Sequence, residues 1–235
     1  AYVVHRLDRE TTGVLVLARH ASAARALCSL LGTKEHEEAE EDGVKGVVKE
    51  YMVAVEGRFE REVVAEGYMG PDLVGEARSR RIFATTAGAP PKEWHPRIVY
   101  DKWQSAATKY EPVEYNAREG VSLVKATLLH GGRTHQIRAT LASLGYPVVG
   151  DLMYGVLGGQ GYIRAMDQNL TDEDRKMLRI GRVALHAYRL TIRFHRLSAR
   201  ERDALRRGNG GEETEGEVSI SAELPDDMAG LMGLR

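Results

Sequence analysis

Ala106 to Leu129 reads AATKYEPVEYNAREGVSLVKATLL, two runs of strand-forming residues on either side of Asn116 to Gly120, a stretch with the turn chemistry of a hairpin. Working outward, Lys49 to Gly57 (KEYMVAVEG) alternates with Tyr51, Val53 and Val55 on one face and Met52 and Ala54 on the other, a strand with two fairly apolar faces. Val14 to Ala18 (VLVLA) is a continuous apolar run after the turn signal Thr11-Thr12-Gly13 and is expected to be a short buried strand. Val183 to Phe194 and Val218 to Leu224 add strands, the last before a frayed end, and the set argues for a largely antiparallel sheet. Two segments break the pattern with helical spacing. Ser22 to Leu31 starts at a capping residue and stops at Gly32, and Thr134 to Leu144 sets Ile137, Leu141 and Leu144 on one face and stops at Gly145. The class is therefore α+β. Residues 66 to 97 hold several Gly and Pro and predict only loops and short strands, and Pro147 to Tyr154 reads as loop and short strand.

The chain has 235 residues, of which 43% are hydrophobic, so a substantial core is available without staples. Its single cysteine, Cys28, can make no internal bridge, which removes zinc ribbons and redox CxxC motifs and agrees with a reducing compartment. No apolar run approaches the roughly 20 residues of a membrane span. The sequence opens on Ala1-Tyr2-Val3-Val4 without Met, already strand-like, the start expected of a fragment or processed product whose targeting signal is out of view.

Net charge is −1, but it is unevenly placed. Residues 33 to 46 (TKEHEEAEEDGVKG) contribute −4 and read as a solvated acidic insertion; residues 208 to 235 contribute −6, which leaves +9 on the remainder. Seven arginines fall between Arg189 and Arg207. A basic body is the electrostatic footprint of a polyanion partner, since phosphate contacts supply most sequence-independent nucleic-acid affinity.

Asp8 lies between Arg6 and Arg9 just before a turn. Cationic neighbours keep such a carboxylate ionised, fit to act as nucleophile or base, while the same position also suits a plain turn or capping residue. His130 and His135 are five apart with no third ligand at a recognisable offset, so a metal site is not expected. GGRTHQIR places two glycines before a helix whose first residues carry Arg133, His135 and Arg138, an arrangement that favours an anion. An RNA phosphate and the Asp8 carboxylate both qualify.

In chain order, HRLDRETTGVLVLA (5 to 18), KEYMVAVEG (49 to 57), GGRTHQIRATLASLGYPVVGDLMYG (131 to 155) and ALHAYRLTIRF (184 to 194) resemble the successive signature blocks of the RluA-type pseudouridine synthases, and AATKYEP matches the strand before the Arg-containing block. The likeness spans most of residues 2 to 224. It departs from the family pattern at Gly131-Gly132-Arg133, where Thr-Gly-Arg is usual, and at Thr140, where His is usual.

The resemblance implies a pseudouridine synthase catalytic domain over 1 to 224, with a mixed, mostly antiparallel sheet, a central cleft and flanking helices. Its N-terminal edge is expected to be missing, with an acidic insertion at 33 to 46, a Gly- and Glu-rich loop at 208 to 216 and a C-terminal tail at 225 to 235. It implies conversion of uridine to pseudouridine in a structured RNA, ribosomal or transfer, by a monomer without metal or organic cofactor. Asp8 is the implied catalytic carboxylate, Tyr51 stacks on the uracil and assists proton handling, and Arg138 pairs with Asp8. Arg6 enters the RNA helix in place of the extruded nucleotide, Leu185 packs beneath the base, and Arg133 and His135 complete the substrate contacts. The expected setting is intracellular and soluble, with cytoplasm, nucleus and organelle all open. A non-catalytic RNA-binding or RNA-folding protein that keeps the cleft is the alternative, and a carboxylate-dependent hydrolase of a small phosphorylated substrate ranks last for want of a phosphate loop or metal set.

Overall fold

Antiparallel ladders dominate the architecture. The computed structural model describes residues 1–32, 46–72, 79–85, 103–194, 199, 202–203 and 216–234. The acidic stretch 33–45, the parts of the 66–97 region at 73–78 and 86–97, and residues 208–215 of the Gly- and Glu-rich loop lie outside the described residues, as do four of the seven arginines between Arg189 and Arg207.

The chain divides into two compact units, Ala1–Glu50 with Ala187–Glu223, and Tyr51–His186 with Leu224–Arg235. In the second unit, β7 (Gln104–Asn116) and β8 (Val121–His130) form the expected hairpin, closed by the Gly120 N–H donating to the Asn116 carbonyl at 2.8 Å. β5 (Val63–Pro71) pairs with β7 from Met69↔Gln104 to Val63↔Tyr110, and β6 (Arg81–Thr85) pairs with β5, all antiparallel. Beyond Tyr110, β7 has left β5 behind, and Pro112, with no N–H to give, falls in that free edge beside a register shift against β8. On the other side of β8 lies β4 (Val47–Glu56). Val53, Ala54 and Val55 are all fully buried, as the two apolar faces predicted.

Among the described residues, four helices belong to this unit. α2 (Gln136–Ser143) packs against β6, its turn closed at Gly145 with φ +86°, as the Gly stop signal predicted. α3 (Gly158–Met166), α4 (Asp172–Leu178) and α5 (Asp226–Met232) follow. α4 starts in a capping box: Asp174 N–H donates to Thr171 Oγ1, and Thr171 N–H donates to Asp174 Oδ2. The segment read as a frayed end after the last strand is α5, which buries Met228 and Met232 in the main core with Tyr110, Val121, Leu141 and Val149. Full burial of each such side chain contributes about 1.5–3 kcal/mol, enough to hold a seven-residue helix that propensity alone would not.

In the first unit, β1 (Tyr2–Val3) pairs with β3 (Leu17–Ala18), and α1 (Ala21–Gly32) covers them; β9 (Leu185–Arg193), which enters this unit at Ala187, pairs with β2 (Thr12–Gly13) and, through Arg189–Arg193, with β10 (Glu217–Ser221). Val4, Ala18, Leu31 and Leu190 form its core. Val14 to Ala18 corrects the expectation of a wholly buried strand. Only Leu17–Ala18 is strand, Val14 and Val16 lean on the core, and Leu15 and Leu17 face outward, each 48% exposed. Every second residue is apolar toward water as well as toward the core, so a run that looked two-sided is one-sided.

Candidate active site

Each unit carries part of the expected site. Arg6 and Asp8 are in the first, with Arg6 exposed and Asp8 partly buried. The Thr11 N–H donates to the Asp8 carbonyl at 3.0 Å, so Asp8 opens a tight turn as its position before Thr-Thr-Gly suggested. Tyr51, Arg133, His135, Arg138 and Leu185 are all in the second unit. Leu185 is buried in its core, and partly buried Tyr51 packs against that same core.

The segment before α2 is built around one glutamine. Gly131 and Gly132 take φ of +99° and +103°, the freedom that the Gly pair predicted, and His135 follows at φ +60°. The buried Gln136 carboxamide clamps this turn: its Oε1 accepts from the Gly132 and Arg133 N–H groups at 2.8 and 3.0 Å. Its Nε2 donates to Thr108 Oγ1 at 3.0 Å and to the His130 carbonyl at 2.9 Å. Arg133 is thereby presented from a fixed backbone, with its Nε donating to the Ser105 carbonyl at 3.2 Å.

Arg138 is 7% exposed and meets Asp151, which is fully buried, in a two-pronged pair: Nε to Oδ2 at 2.6 Å and Nη2 to Oδ1 at 2.8 Å. Asp151 Oδ1 also accepts from the N–H groups of Met153 and Tyr154 at 2.9 and 3.0 Å. A planar guanidinium matched to a carboxylate by two parallel bonds has its orientation fixed as well as its charge compensated. The Tyr154 ring lies 5.2 Å from the Arg138 guanidinium and 5.4 Å from that of Arg80, itself paired with Asp72 at 2.7 Å. The Tyr154 hydroxyl accepts from the Arg81 N–H at 2.7 Å and lies 3.0 Å from His135 Nδ1. Burial pushes this phenol up to about 12, so it stays protonated through the physiological range.

Gln136, Asp151 and Tyr154 therefore hold Arg133, Arg138 and His135 in place, and sequence reasoning singled out none of the three. Half of Asp151's role had a local signal, a carboxylate bonding the backbone two and three residues on, the habit of Asp in turns. Its pairing with Arg138, thirteen residues away, had none. Among the described residues no group of three or more His, Cys, Asp or Glu is placed to hold a metal ion, and no helix is long and apolar enough to cross a membrane.

Comparison with known proteins assigns this arrangement to a class. Residues 1–143 match the RNA pseudouridylate synthase family model, and the chain belongs to that family. It is similar to the ribosomal large subunit pseudouridine synthase D of Nitrosomonas europaea, 28% identical over 237 residues that cover 99% of this chain and 50% of that protein. The dual-specificity RNA pseudouridine synthase RluA of Escherichia coli is 30% identical over 64% of this chain and 56% of its own length, which places the chain in the RluA-type branch. Among solved structures, the human RNA pseudouridylate synthase domain containing 1 superposes with a TM-score of 0.56 at 27% identity, covering 81% of this chain and 63% of that one. The chain thus spans about half the length of these two curated relatives.

Proposed function

We propose that this chain isomerises uridine to pseudouridine in structured RNA, with residues 1 to 224 acting as one catalytic domain and Asp8 as its catalytic carboxylate. The observation that carries the reading is the family match over residues 1–143, a span that contains Asp8, Tyr51 and Arg138. The reaction breaks the bond from C1′ to N1, turns the freed uracil, and joins C1′ to C5, with the C5 proton released and N1 protonated. A base inside a duplex cannot undergo this, so it must be extruded. Arg6, exposed beside Asp8 in sequence, fills the gap the base leaves. Tyr51 and Leu185 grip the ring, and Arg133 and His135 contact the RNA backbone. Arg138 is the cationic partner of Asp8, and its rigid seat on Asp151 supports that role because a partner that must orient a carboxylate has itself to be oriented. An arginine partner lowers carboxylate basicity, which favours a nucleophilic or electrostatic part for Asp8 over strong general-base action. The name of the Nitrosomonas relative supports ribosomal RNA as one structured substrate.

The test is tritium release from RNA labelled at uracil C5 and lacking the modification, with the wild type beside Asp8→Asn. Release should fall by at least about a thousandfold in the variant. Normal turnover by Asp8→Asn overturns the assignment, and no release from either protein, with salt-sensitive RNA binding intact, favours the non-catalytic RNA-binding reading.

A further inference from the structure

His5 stands three residues before Asp8, and its ring is tied to the chain on the far side of the turn. The Val16 N–H donates to His5 Nε2 at 2.9 Å. A backbone amide can only donate, so Nε2 keeps its lone pair and the neutral ring carries its proton on Nδ1. The Asp8 segment is thus pinned at one end by His5 and Val16, and it is closed in the middle by the bond from Thr11 N–H to the Asp8 carbonyl. Farther on it is anchored by the Val14 N–H donating to the Ala187 carbonyl at 2.9 Å.

The surroundings resist a second proton on the ring. From β4, Lys49 faces His5, its ammonium donating to the Leu31 carbonyl at 2.6 Å; from α1, the Cys28 thiol donates to the Val4 carbonyl next to His5. The histidine's own segment contributes Arg6 and Asp8. We propose that His5 is the positioning residue of the Asp8 segment: in its neutral form it pins Arg6 to Asp8 in working register, and protonation at Nε2 turns the acceptor into a second donor and releases the pin. This rests on the reading of Asp8 as the catalytic carboxylate. Burial first, and the Lys49 charge second, hold the His5 pKa below the ordinary histidine value, so the pin is intact at neutral pH and is lost as pH falls through that lowered value.

The experiment pairs two readouts over about pH 7.5 to 5, the range in which a histidine switches. In isotope-labelled wild type, the Val16 amide resonance should move in step with the His5 ring titration. Tritium release at saturating RNA should lose about tenfold per pH unit below that midpoint. His5→Gln, whose side-chain oxygen can accept from Val16 but does not titrate, should keep turnover at neutral pH and lose this acid limb. His5→Leu, with no acceptor, should lose roughly 10- to 100-fold in kcat at neutral pH with little change in KM. An acid limb in His5→Gln identical to the wild type's overturns the proposal, as does a Val16 amide indifferent to His5. Should the wild type release no tritium, the catalytic reading of Asp8 fails by itself, and the Val16 titration still decides whether the pin exists.

Discussion

Asp151→Asn puts the seat of Arg138 under direct test, because the substitution keeps the shape of the side chain and removes its charge. All four bonds to the Asp151 carboxylate are acceptor bonds: two from Arg138 at 2.6 and 2.8 Å and two from the backbone of Met153 and Tyr154. An asparagine offers one carbonyl oxygen for these donors and turns an NH2 toward whichever it does not serve. Either the two backbone amides lose their acceptor or a guanidinium nitrogen faces another N–H donor in a fully buried place. Removing one member of a buried ion pair costs about 3–5 kcal/mol, most of it the penalty of leaving the other charge without its counter-ion. For a chain of this size each kcal/mol moves Tm by about 2–4 °C, so the variant should melt about 6–20 °C below the wild type. Thermal and urea unfolding at neutral pH read this directly. Repeating them at high salt is the control, since a buried pair is screened far less than an exposed one and the deficit should persist. Tritium release, measured well below the variant's Tm, should fall in kcat more than in KM if a displaced Arg138 no longer orients Asp8. A loss below about 1 kcal/mol, the scale of an exposed pair, would mean that the guanidinium is held by something other than Asp151 and would refute the reasoning.

Gln136→Leu preserves bulk but strips the acceptor from the Gly132 and Arg133 amides and the donor from Thr108 and His130, for a loss of about 1–3 kcal/mol in urea unfolding. Because the freed loop carries Arg133, KM for RNA should rise more than kcat falls, and the reverse split would place Gln136's importance elsewhere. Asp174 is held down to about 2 by Arg164, whose guanidinium grips it at 2.7 and 2.9 Å, and by the Thr171 backbone. Its folded value lies below its unfolded one, so its stabilisation is complete above about pH 4 and drains away as pH falls toward 2. Acid titration of the unfolding midpoint should show this slope in the wild type and a shallower one in Asp174→Asn, and equal slopes would remove Asp174 from the acid response.

What the sequence revealed and what it hid divide along a physical line. The β7–β8 hairpin was legible because both its causes are local: alternating strand residues and a turn whose Gly120 can take φ +65°. The α2 stop at Gly145 and the backbone freedom of the Gly131-Gly132 pair were legible for the same reason. β5 was not, because its Gly67 reads as a breaker, whereas the Ala84 carbonyl of the neighbouring strand fills the place a Cβ would take. The glycine is there to let two strands approach, and that requirement comes from a residue seventeen positions away. The site divides in the same way. The side chains proposed to act on a substrate lie in the signature blocks, where a sequence displays them. Those that hold them, Gln136 and Asp151, went unnoticed, because their warrant is a partner elsewhere in the fold. Asp151 also changes what Arg138 means. In the structure the Arg138 guanidinium is no bare cation: Asp151 already compensates its charge and fixes its direction. A cation in that state exerts a weaker pull on a second carboxylate than a bare one would. In the proposed pairing, any orienting of Asp8 by Arg138 therefore rests on Asp151 as well as on the guanidinium's own charge, which is why Asp151→Asn is its sharpest probe.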